Sequence, residues 1–174
     1  MTGLGHLWAG WRSPYLSGEE TTERPEGVPA DPVACVFCWI LEEPPPDASR
    51  HLLFADELSA VVLNAYPYTS GHVLVLPRRH CGELEELAEE EADALWSTGR
   101  RAVRAVRQAY RPDGVNLGAN LGKAAGAGIP GHLHLHVLPR WHGDTNFMTT
   151  VADARVLPEP LGVSFDKLLA AWPV

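Results

Sequence analysis

The sequence predicts an α+β fold: an antiparallel sheet of about five strands with one long helix and a short C-terminal helix. Three short apolar segments between residues 51 and 77 are separated only by turn residues, which is typical of an antiparallel meander. One long segment with helical periodicity follows them. Beyond it, three histidines alternate with apolar residues, and this spacing indicates a further strand.

The composition is that of a globular domain and argues against a nucleic-acid partner. The chain has 174 residues, which is enough for one domain with its own core. Its 14 Lys+Arg and 22 Asp+Glu give a formal net charge of −8, and no basic patch of useful size appears. A small anionic ligand is still compatible with this charge, because it needs only a local field and oriented donors.

The chain shows no signal for a membrane. No apolar run approaches the length of a membrane span, and the N-terminus lacks the apolar core of a signal peptide. We therefore expect a cytoplasmic protein. Residues 1–32 contain Gly, Pro and Trp with little periodicity and are interpreted as an N-terminal extension, whereas residues 33–174 are predicted to form a single domain.

The strands are predicted from short apolar runs bounded by turn residues. Residues 51–55 and 59–63 flank a turn at Asp56 and Glu57, which suggests a hairpin, and residues 72–77 fit a central strand. Two further strands are expected at residues 115–118 and 147–151.

Residues 83–110 are predicted to form the long helix, because leucines and valines recur there at helical spacing. Glutamates concentrate in its first turns and arginines in its last turns, an asymmetry that complements the helix dipole. Residues 112–114, Pro-Asp-Gly, end the helix. A short helix at residues 163–172 completes the predicted fold.

The histidine segment, residues 131–140, carries the strongest functional signal. Successive side chains of a strand point to opposite faces, so the three histidines would share one face while apolar residues anchor the other. A helix would scatter the histidines around its circumference. We expect Pro139 to end the strand. The histidines are His132, His134 and His136, and the apolar residues are Leu133, Leu135 and Val137.

A glycine-rich loop, residues 120–131, comes directly before these histidines. Glycine lets a backbone approach a ligand and expose N–H donors, and Lys123 adds a positive charge, so the loop could bind phosphate or serve only as a linker. A histidine-rich surface strand or an isolated metal patch is the alternative for the triad. Together, loop and triad favour phosphoryl chemistry, because a neutral imidazole can attack phosphorus. His134, the middle histidine with a histidine on either side in the alternation, is the best candidate for that nucleophile.

The chain has three cysteines, which is a poor basis for a disulfide framework. Cys35 and Cys38 form a Cys-x-x-Cys pair, which in a protein expected in the cytosol indicates a metal site or a redox site. Cys81 is interpreted as a packing residue.

These motifs resemble the histidine-triad (HIT) superfamily, whose signature alternates three histidines with apolar residues. The resemblance covers most of residues 35–151 and includes the Cys-x-x-Cys pair, the segment at 64–80 and the glycine loop. It implies the α+β HIT fold and a homodimer. It also implies nucleotide chemistry at the α-phosphorus through a nucleotidyl-histidine intermediate.

The resemblance implies a role for individual positions. His134 corresponds to the nucleophile, and His136 corresponds to the residue that contacts the phosphate and the leaving group. Asn64 falls where the family binds ribose, and an apolar base pocket is expected around Phe37, Ile40 and Leu63. Ile129 departs from the Ser or Thr of many members. Asn120 and the turn from Gly126 to Gly128 fall where the family contacts the α-phosphate. From the residues themselves, Lys123 is expected to contact the phosphoryl oxygens, and Arg140 and Asn146 could supply anion contacts or serve only as surface-loop residues.

A metal-binding variant of the superfamily uses two cysteines and two histidines, which correspond here to Cys35, Cys38, His80 and His132. The resemblance therefore implies a zinc ion. Four protein ligands leave no open position for water, so this zinc would be structural. Magnesium, if present, would arrive with the nucleotide.

Residues 7–16 and 139–148 also resemble a bacterial branch of the family, the diadenosine tetraphosphate phosphorylases or ATP adenylyltransferases. That branch implies inorganic phosphate as the second substrate and ATP and ADP as products. The alternatives are a phosphoramidate or nucleotide ester hydrolase that uses the same site, and a nucleotide-binding sensor with little turnover.

Overall fold

The computed structural model describes residues 35–144 and 157–173. The strand predicted at residues 147–151, the expected substrate contact Asn146 and the N-terminal extension lie outside these ranges.

The first three strands form the predicted meander. β1 (Leu52–Ala55), β2 (Ser59–Leu63) and β3 (Val73–Pro77) pair in sequence order, and both pairings are antiparallel. The turn between β1 and β2 is held by Asp56, whose carboxylate accepts hydrogen bonds from the backbone N–H groups of Leu58 and Ser59. This side chain is short enough to bond the backbone two and three residues on, which explains the tight hairpin.

Two more strands complete a five-stranded antiparallel sheet. β4 spans Gly114–Ala119, β5 spans Leu135–Arg140, and the strand order is β1-β2-β3-β5-β4. The histidine strand, β5, therefore lies between β3 and β4 rather than at an edge. The observed sheet and helices confirm the predicted α+β class.

The long helix, α2, spans Glu89–Tyr110 and begins six residues later than predicted. Leu84–Glu86 form a single 3₁₀ turn, and the next two residues are extended. Tertiary contacts explain the delay: Arg79 donates to the carbonyl of Glu86 and to the carboxylate of Glu91, and Glu91 also accepts from the backbone N–H of Ala88. Glu91 thus satisfies a helix-start donor that has no intrahelical partner.

Two shorter helices flank the sheet. α1 spans Val36–Ile40 and contains the second cysteine of the Cys-x-x-Cys pair; the sequence did not suggest it. α3 spans Leu161–Ala170 and begins two residues before its predicted start. No helix in the described ranges is long and apolar enough to cross a membrane.

The sheet has a buried core on each face. On one face, α2 and α3 cover a large cluster to which Leu133, Leu135 and Val137 contribute, as predicted for the apolar side of the histidine strand. On the other face, α1 covers a smaller cluster formed by Phe37, Leu41, Leu52, Ala60, Val62, Leu74 and Leu76. His136 is paired with Leu74, so the histidines lie on the α1 side.

Pro139 does not end β5, which continues to Arg140. β3 pairs with β5 only as far as Val137, whereas β4 pairs along the whole strand. Pro139 therefore lies where β5 has a single partner strand, a position in a sheet that tolerates proline.

Candidate active site and metal centre

The three histidines occupy three different environments. Regular pairing of β5 begins only at Leu135, so His132 and His134 precede the strand and His136 lies within it. His132 and His134 are nevertheless buried, with exposed fractions of 0% and 6%. The segment before β5 is held by a backbone hydrogen bond from the N–H of Leu133 to the carbonyl of Cys81, 2.7 Å long.

His134 has the hydrogen bonding that a nitrogen nucleophile requires. Its Nδ1 lies 2.8 Å from the carbonyl oxygen of His132, so Nδ1 carries the proton and donates it. Nε2 then bears a lone pair. Burial lowers the pKa of His134, which keeps the ring neutral. The ring of Phe37 packs against it with centroids 5.3 Å apart and fixes its orientation.

A chain of hydrogen bonds sets the tautomer of His136 in the opposite sense. The backbone N–H of Tyr68 donates to Nδ1 of His72, so the proton of His72 is on Nε2. Nε2 of His72 lies 3.0 Å from Nδ1 of His136 and donates to it. The proton of His136 is therefore on Nε2. This atom is buried and has no hydrogen-bond partner within the residues that the structure describes.

His134 and His136 thus present complementary groups side by side. His134 offers a lone pair, His136 offers an N–H donor, and their ring centroids are 5.1 Å apart. A phosphoryl group between them would meet a nucleophile and a hydrogen-bond donor that need no rearrangement of protons.

The sequence pattern did not single out His72, which the structure brings into this site. His72 is fully buried, and Tyr68 packs on both His72 and His136. A histidine at the start of an apolar strand gives no functional signal by itself. Only the placement of β3 beside β5 brings His72 to His136.

The burial of neutral His136 predicts acid sensitivity of the fold. Desolvation, and then the repulsion that two protonated rings at His134 and His136 would feel, lower the pKa of His136 to about 4, below the usual value near 6.5. Between about pH 4 and pH 6.5, His136 is therefore protonated in the unfolded chain and neutral in the folded chain. The contribution of neutral His136 to the free energy of unfolding is fully present above about pH 6.5 and declines as the pH falls towards 4.

We expect His136→Gln to lose less stability than the wild type between pH 7.5 and pH 4.5, since glutamine does not titrate but can accept from His72. Urea unfolding at both pH values measures the difference. An equal loss of stability in both proteins would contradict the prediction.

The metal ligands predicted from the family resemblance converge. One ligand atom each from Cys35, Cys38, His80 and His132 lies within 4.8 Å of the others. Sγ of Cys35 is 3.3 Å from Nδ1 of His132, and Sγ of Cys38 is 3.3 Å from Nδ1 of His80. A tetrahedral zinc with Zn–S bonds of about 2.3 Å and Zn–N bonds of about 2.0 Å separates its ligands by roughly 3.5 Å, so these spacings fit.

The protonation of His132 also suits a metal. Its Nε2 lies 2.9 Å from the carbonyl of Pro77 and donates to it, so Nδ1 faces the cysteines with a lone pair. Burial, followed by the neighbouring Cys35, raises the pKa of the Cys38 thiol to about 11. Zinc would displace the thiol protons on binding, and two thiolates with two imidazole nitrogens are the donors that it prefers.

Gly82 allows the two halves of this centre to meet. A Cβ at Gly82 would lie 2.7 Å from the carbonyl oxygen of Pro130, so the segment after His80 can approach the loop before His132 only with glycine at this position.

The glycine loop is more closed than the sequence suggested. Lys123–Ala125 form a 3₁₀ turn between Gly122 and Gly126, whose φ angles of 76° and 94° require glycine. The N–H groups of residues 125, 126 and 127 donate to carbonyls within the loop. In this conformation those three donors are used inside the loop and not for phosphate.

Two asparagines expected to bind substrate lie close to the triad. The side-chain amide of Asn64 donates to Nδ1 of His72 at 3.2 Å, and that of Asn120 donates to the carbonyl of Gly126 at 3.3 Å. Asn64 thus supports the tautomer of His72, and Asn120 holds the loop. Their contacts with substrate stay predictions, as do those of Lys123 and Gly128.

Arg140 is already engaged. Its guanidinium makes a bidentate ion pair with Asp144 and also donates to the side-chain oxygen of Asn116. The predicted anion contact of Arg140 would therefore compete with a carboxylate.

The base pocket expected from the family resemblance is only partly brought together. Phe37 and Ile40 lie on the α1 side with the histidines, whereas Leu63 belongs to the core under α2 and α3. Leu63 was assigned to the wrong face, because β2 is buried throughout and its apolar residues do not alternate with polar ones.

Comparison with known proteins agrees with this geometry. A family model described as HIT domain matches residues 46–143. The chain is 36% identical over 171 residues to a protein named AP-4-A phosphorylase from Mycobacterium tuberculosis, across 97% of this chain and 85% of that protein. It is 35% identical over 102 residues to bis(5'-adenosyl)-triphosphatase from Dictyostelium discoideum, across 59% and 64%.

Two solved structures share the fold. A zinc-bound histidine triad family protein from Mycobacterium smegmatis is 33% identical with a TM-score of 0.63, over 79% of this chain and 92% of that one. A HIT family member from Bacillus subtilis is 31% identical with a TM-score of 0.56, over 63% and 74%. On its sequence, its sheet and its triad, the chain belongs to the histidine-triad (HIT) family.

Proposed function

We propose that this HIT-family enzyme cleaves dinucleoside polyphosphates by phosphorolysis and converts diadenosine tetraphosphate and phosphate to ATP and ADP. The observation that carries the proposal is the pair of opposite tautomers at His134 and His136. The names of two relatives, AP-4-A phosphorylase and bis(5'-adenosyl)-triphosphatase, support dinucleoside polyphosphates as the substrate class.

In the first step, the lone pair on Nε2 of His134 attacks the α-phosphorus. A nitrogen–phosphorus bond forms, the bond to the bridging oxygen breaks, and its electron pair leaves with ATP. The ring keeps its Nδ1 proton and becomes positively charged, and the carbonyl of His132 stabilises this charge through its hydrogen bond. Nε2–H of His136 donates to the departing oxygen, which needs no proton because a polyphosphate leaves as a stable anion.

In the second step, an oxygen of inorganic phosphate attacks the adenylyl group from the side that ATP has left. The new phosphorus–oxygen bond forms ADP, and the electron pair of the broken nitrogen–phosphorus bond returns to Nε2. His134 is again neutral and ready for another turnover. In a hydrolase, water would take the place of phosphate and AMP would form.

The polar groups around the triad would hold the substrate. We assign the phosphoryl oxygens to Lys123, Asn120 and Gly128, and the ribose to Asn64; Gly126 and Ala127 could contribute only if their hydrogen bonds inside the loop opened. Asn64 contacts His72, and Asn120 lines the same cleft as His136, whereas Lys123 and Gly128 are assigned from the sequence and the family resemblance alone.

We also propose a structural zinc ion on Cys35, Cys38, His80 and His132, supported by the convergence of their ligand atoms. When bound, zinc would hold α1 and the segment before β5 together, and it supplies no group to the reaction. Magnesium would accompany the nucleotide.

A homodimer in the cytoplasm is the proposed assembly. β4 pairs only with β5 in the described sheet and is largely exposed along its length. An unpaired strand edge is a template for a strand from another chain, and a twofold axis would pair β4 with itself.

Dependence on phosphate tests the reaction. Diadenosine tetraphosphate supplied with phosphate should yield equal amounts of ATP and ADP, and almost no product should form without phosphate. Chromatography of the nucleotides measures both conditions. Release of AMP that is indifferent to phosphate would contradict phosphorolysis and favour a hydrolase.

A further inference from the structure

We propose that a cleft beside His136 binds the distal nucleoside of the substrate, the half that leaves as ATP. This inference rests on the proposed function. The cleft is open to solvent and has a volume of about 270 Å³, slightly below the roughly 300 Å³ at which ligand pockets commonly begin. That space suits one nucleoside rather than a whole dinucleotide. Its lining comprises Tyr68, Asn116, Leu117, Gly118, Ala119, Asn120, His136 and Leu138.

The position of the cleft matches the path of a leaving group. In an in-line displacement the leaving group departs on the side opposite the attacking nitrogen of His134. His136, whose Nε2–H would meet the departing oxygen, lines the cleft, whereas His134 does not. From His134 to Leu138 the chain advances four residues, roughly 13 Å at about 3.3 Å per residue, which leaves room for phosphates before the nucleoside.

The lining has the chemistry of a nucleoside site. Tyr68, a residue that is 40% exposed, provides an aromatic ring, and Leu138 provides an apolar wall. Aromatic rings bind bases by stacking, with little regard to base identity. The side-chain oxygen of Asn116 accepts from Arg140, which orients the amide so that its two N–H donors are available for an acceptor on the ligand.

The cleft has room for a ligand beside His136 because Gly118 has no side chain. Gly118 is paired with His136 across β4 and β5, and a Cβ built on it meets no atom of the described residues within 4 Å. A side chain at this position would therefore enter the cleft without a clash with the fold. Gly114 lies on the same face of the same strand and is paired with Arg140, and a Cβ built on it also has no neighbour within 4 Å in the part of the chain that the structure describes. It is absent from the cleft lining and is a matched control.

The experiment compares Gly118→Leu with Gly114→Leu in two reactions. Phosphorolysis of diadenosine tetraphosphate uses the distal nucleoside. Exchange of labelled phosphate into ADP passes only through the adenylyl-enzyme and involves no second nucleoside. We expect Gly118→Leu to lower kcat/KM for phosphorolysis by about ten-fold or more, the range for losing one stacked base, with exchange changed by less than about two-fold. Gly114→Leu should match the wild type in both.

Two results would overturn this assignment. A parallel fall of exchange and phosphorolysis in Gly118→Leu would place the filled space at the reacting phosphate, and unchanged phosphorolysis would show that no nucleoside uses the cleft. A wild-type protein that catalyses neither reaction would instead overturn the proposed function itself, and the assignment with it.

Discussion

Replacement of His134 by asparagine is expected to reduce turnover by roughly 10⁴-fold or more, because it removes the atom that forms the covalent intermediate. Asparagine keeps a polar side chain but has no nitrogen lone pair that can attack phosphorus. His136, the glycine loop and the cleft stay in place, so nucleotide binding should be largely retained. Steady-state kinetics and calorimetric titration with a non-hydrolysable dinucleoside polyphosphate measure the two effects.

The control is the same substitution at His51, outside the site. His51 has a φ of 60°, a left-handed conformation that asparagine tolerates well. His51→Asn should therefore keep wild-type turnover. Turnover that survives in His134→Asn would exclude the nucleophilic role. A wild-type protein that binds nucleotides without turning over any of them would favour a sensor.

Replacement of Cys35 by serine is expected to remove the zinc ion, because a neutral hydroxyl is a poor substitute for a thiolate ligand. Metal analysis should fall from about one zinc per wild-type chain to near zero. Ligand linkage sets the size of the effect: free zinc at 1,000 times its dissociation constant stabilises a fold by about 4 kcal/mol. The variant should lose stability of this order, measured by urea unfolding.

Cys81 offers the matched control. It is buried, its Sγ donates to the carbonyl of Glu83, and it is not part of the four-residue cluster. Cys81→Ser should keep zinc and most of the stability. Zinc retained by Cys35→Ser would contradict the proposed centre, and so would zinc lost from Cys81→Ser. A chelator should destabilise the wild type and leave Cys35→Ser unchanged.

Local sequence pattern predicted the strands better than the ends of the helices. The meander, the hairpin at Asp56 and the apolar face of the histidine strand are present as expected. The delayed start of α2 was not foreseeable, because Arg79 and Glu91 meet only in the folded chain. Pro139 was misjudged for a similar reason, since its tolerance depends on where β3 stops pairing.

The sequence by itself determined the chemistry available to this protein: which histidines lie on one side of the segment that leads into β5, which cysteines could hold a metal, and which family the pattern belongs to. These follow from residue type and spacing, which tertiary contacts do not change. Only the tertiary structure decided how the histidines differ. Their tautomers are set by the carbonyl of His132 and by His72, groups brought to His134 and His136 by local backbone geometry and by strand order. Protonation depends on such contacts, and therefore on the fold.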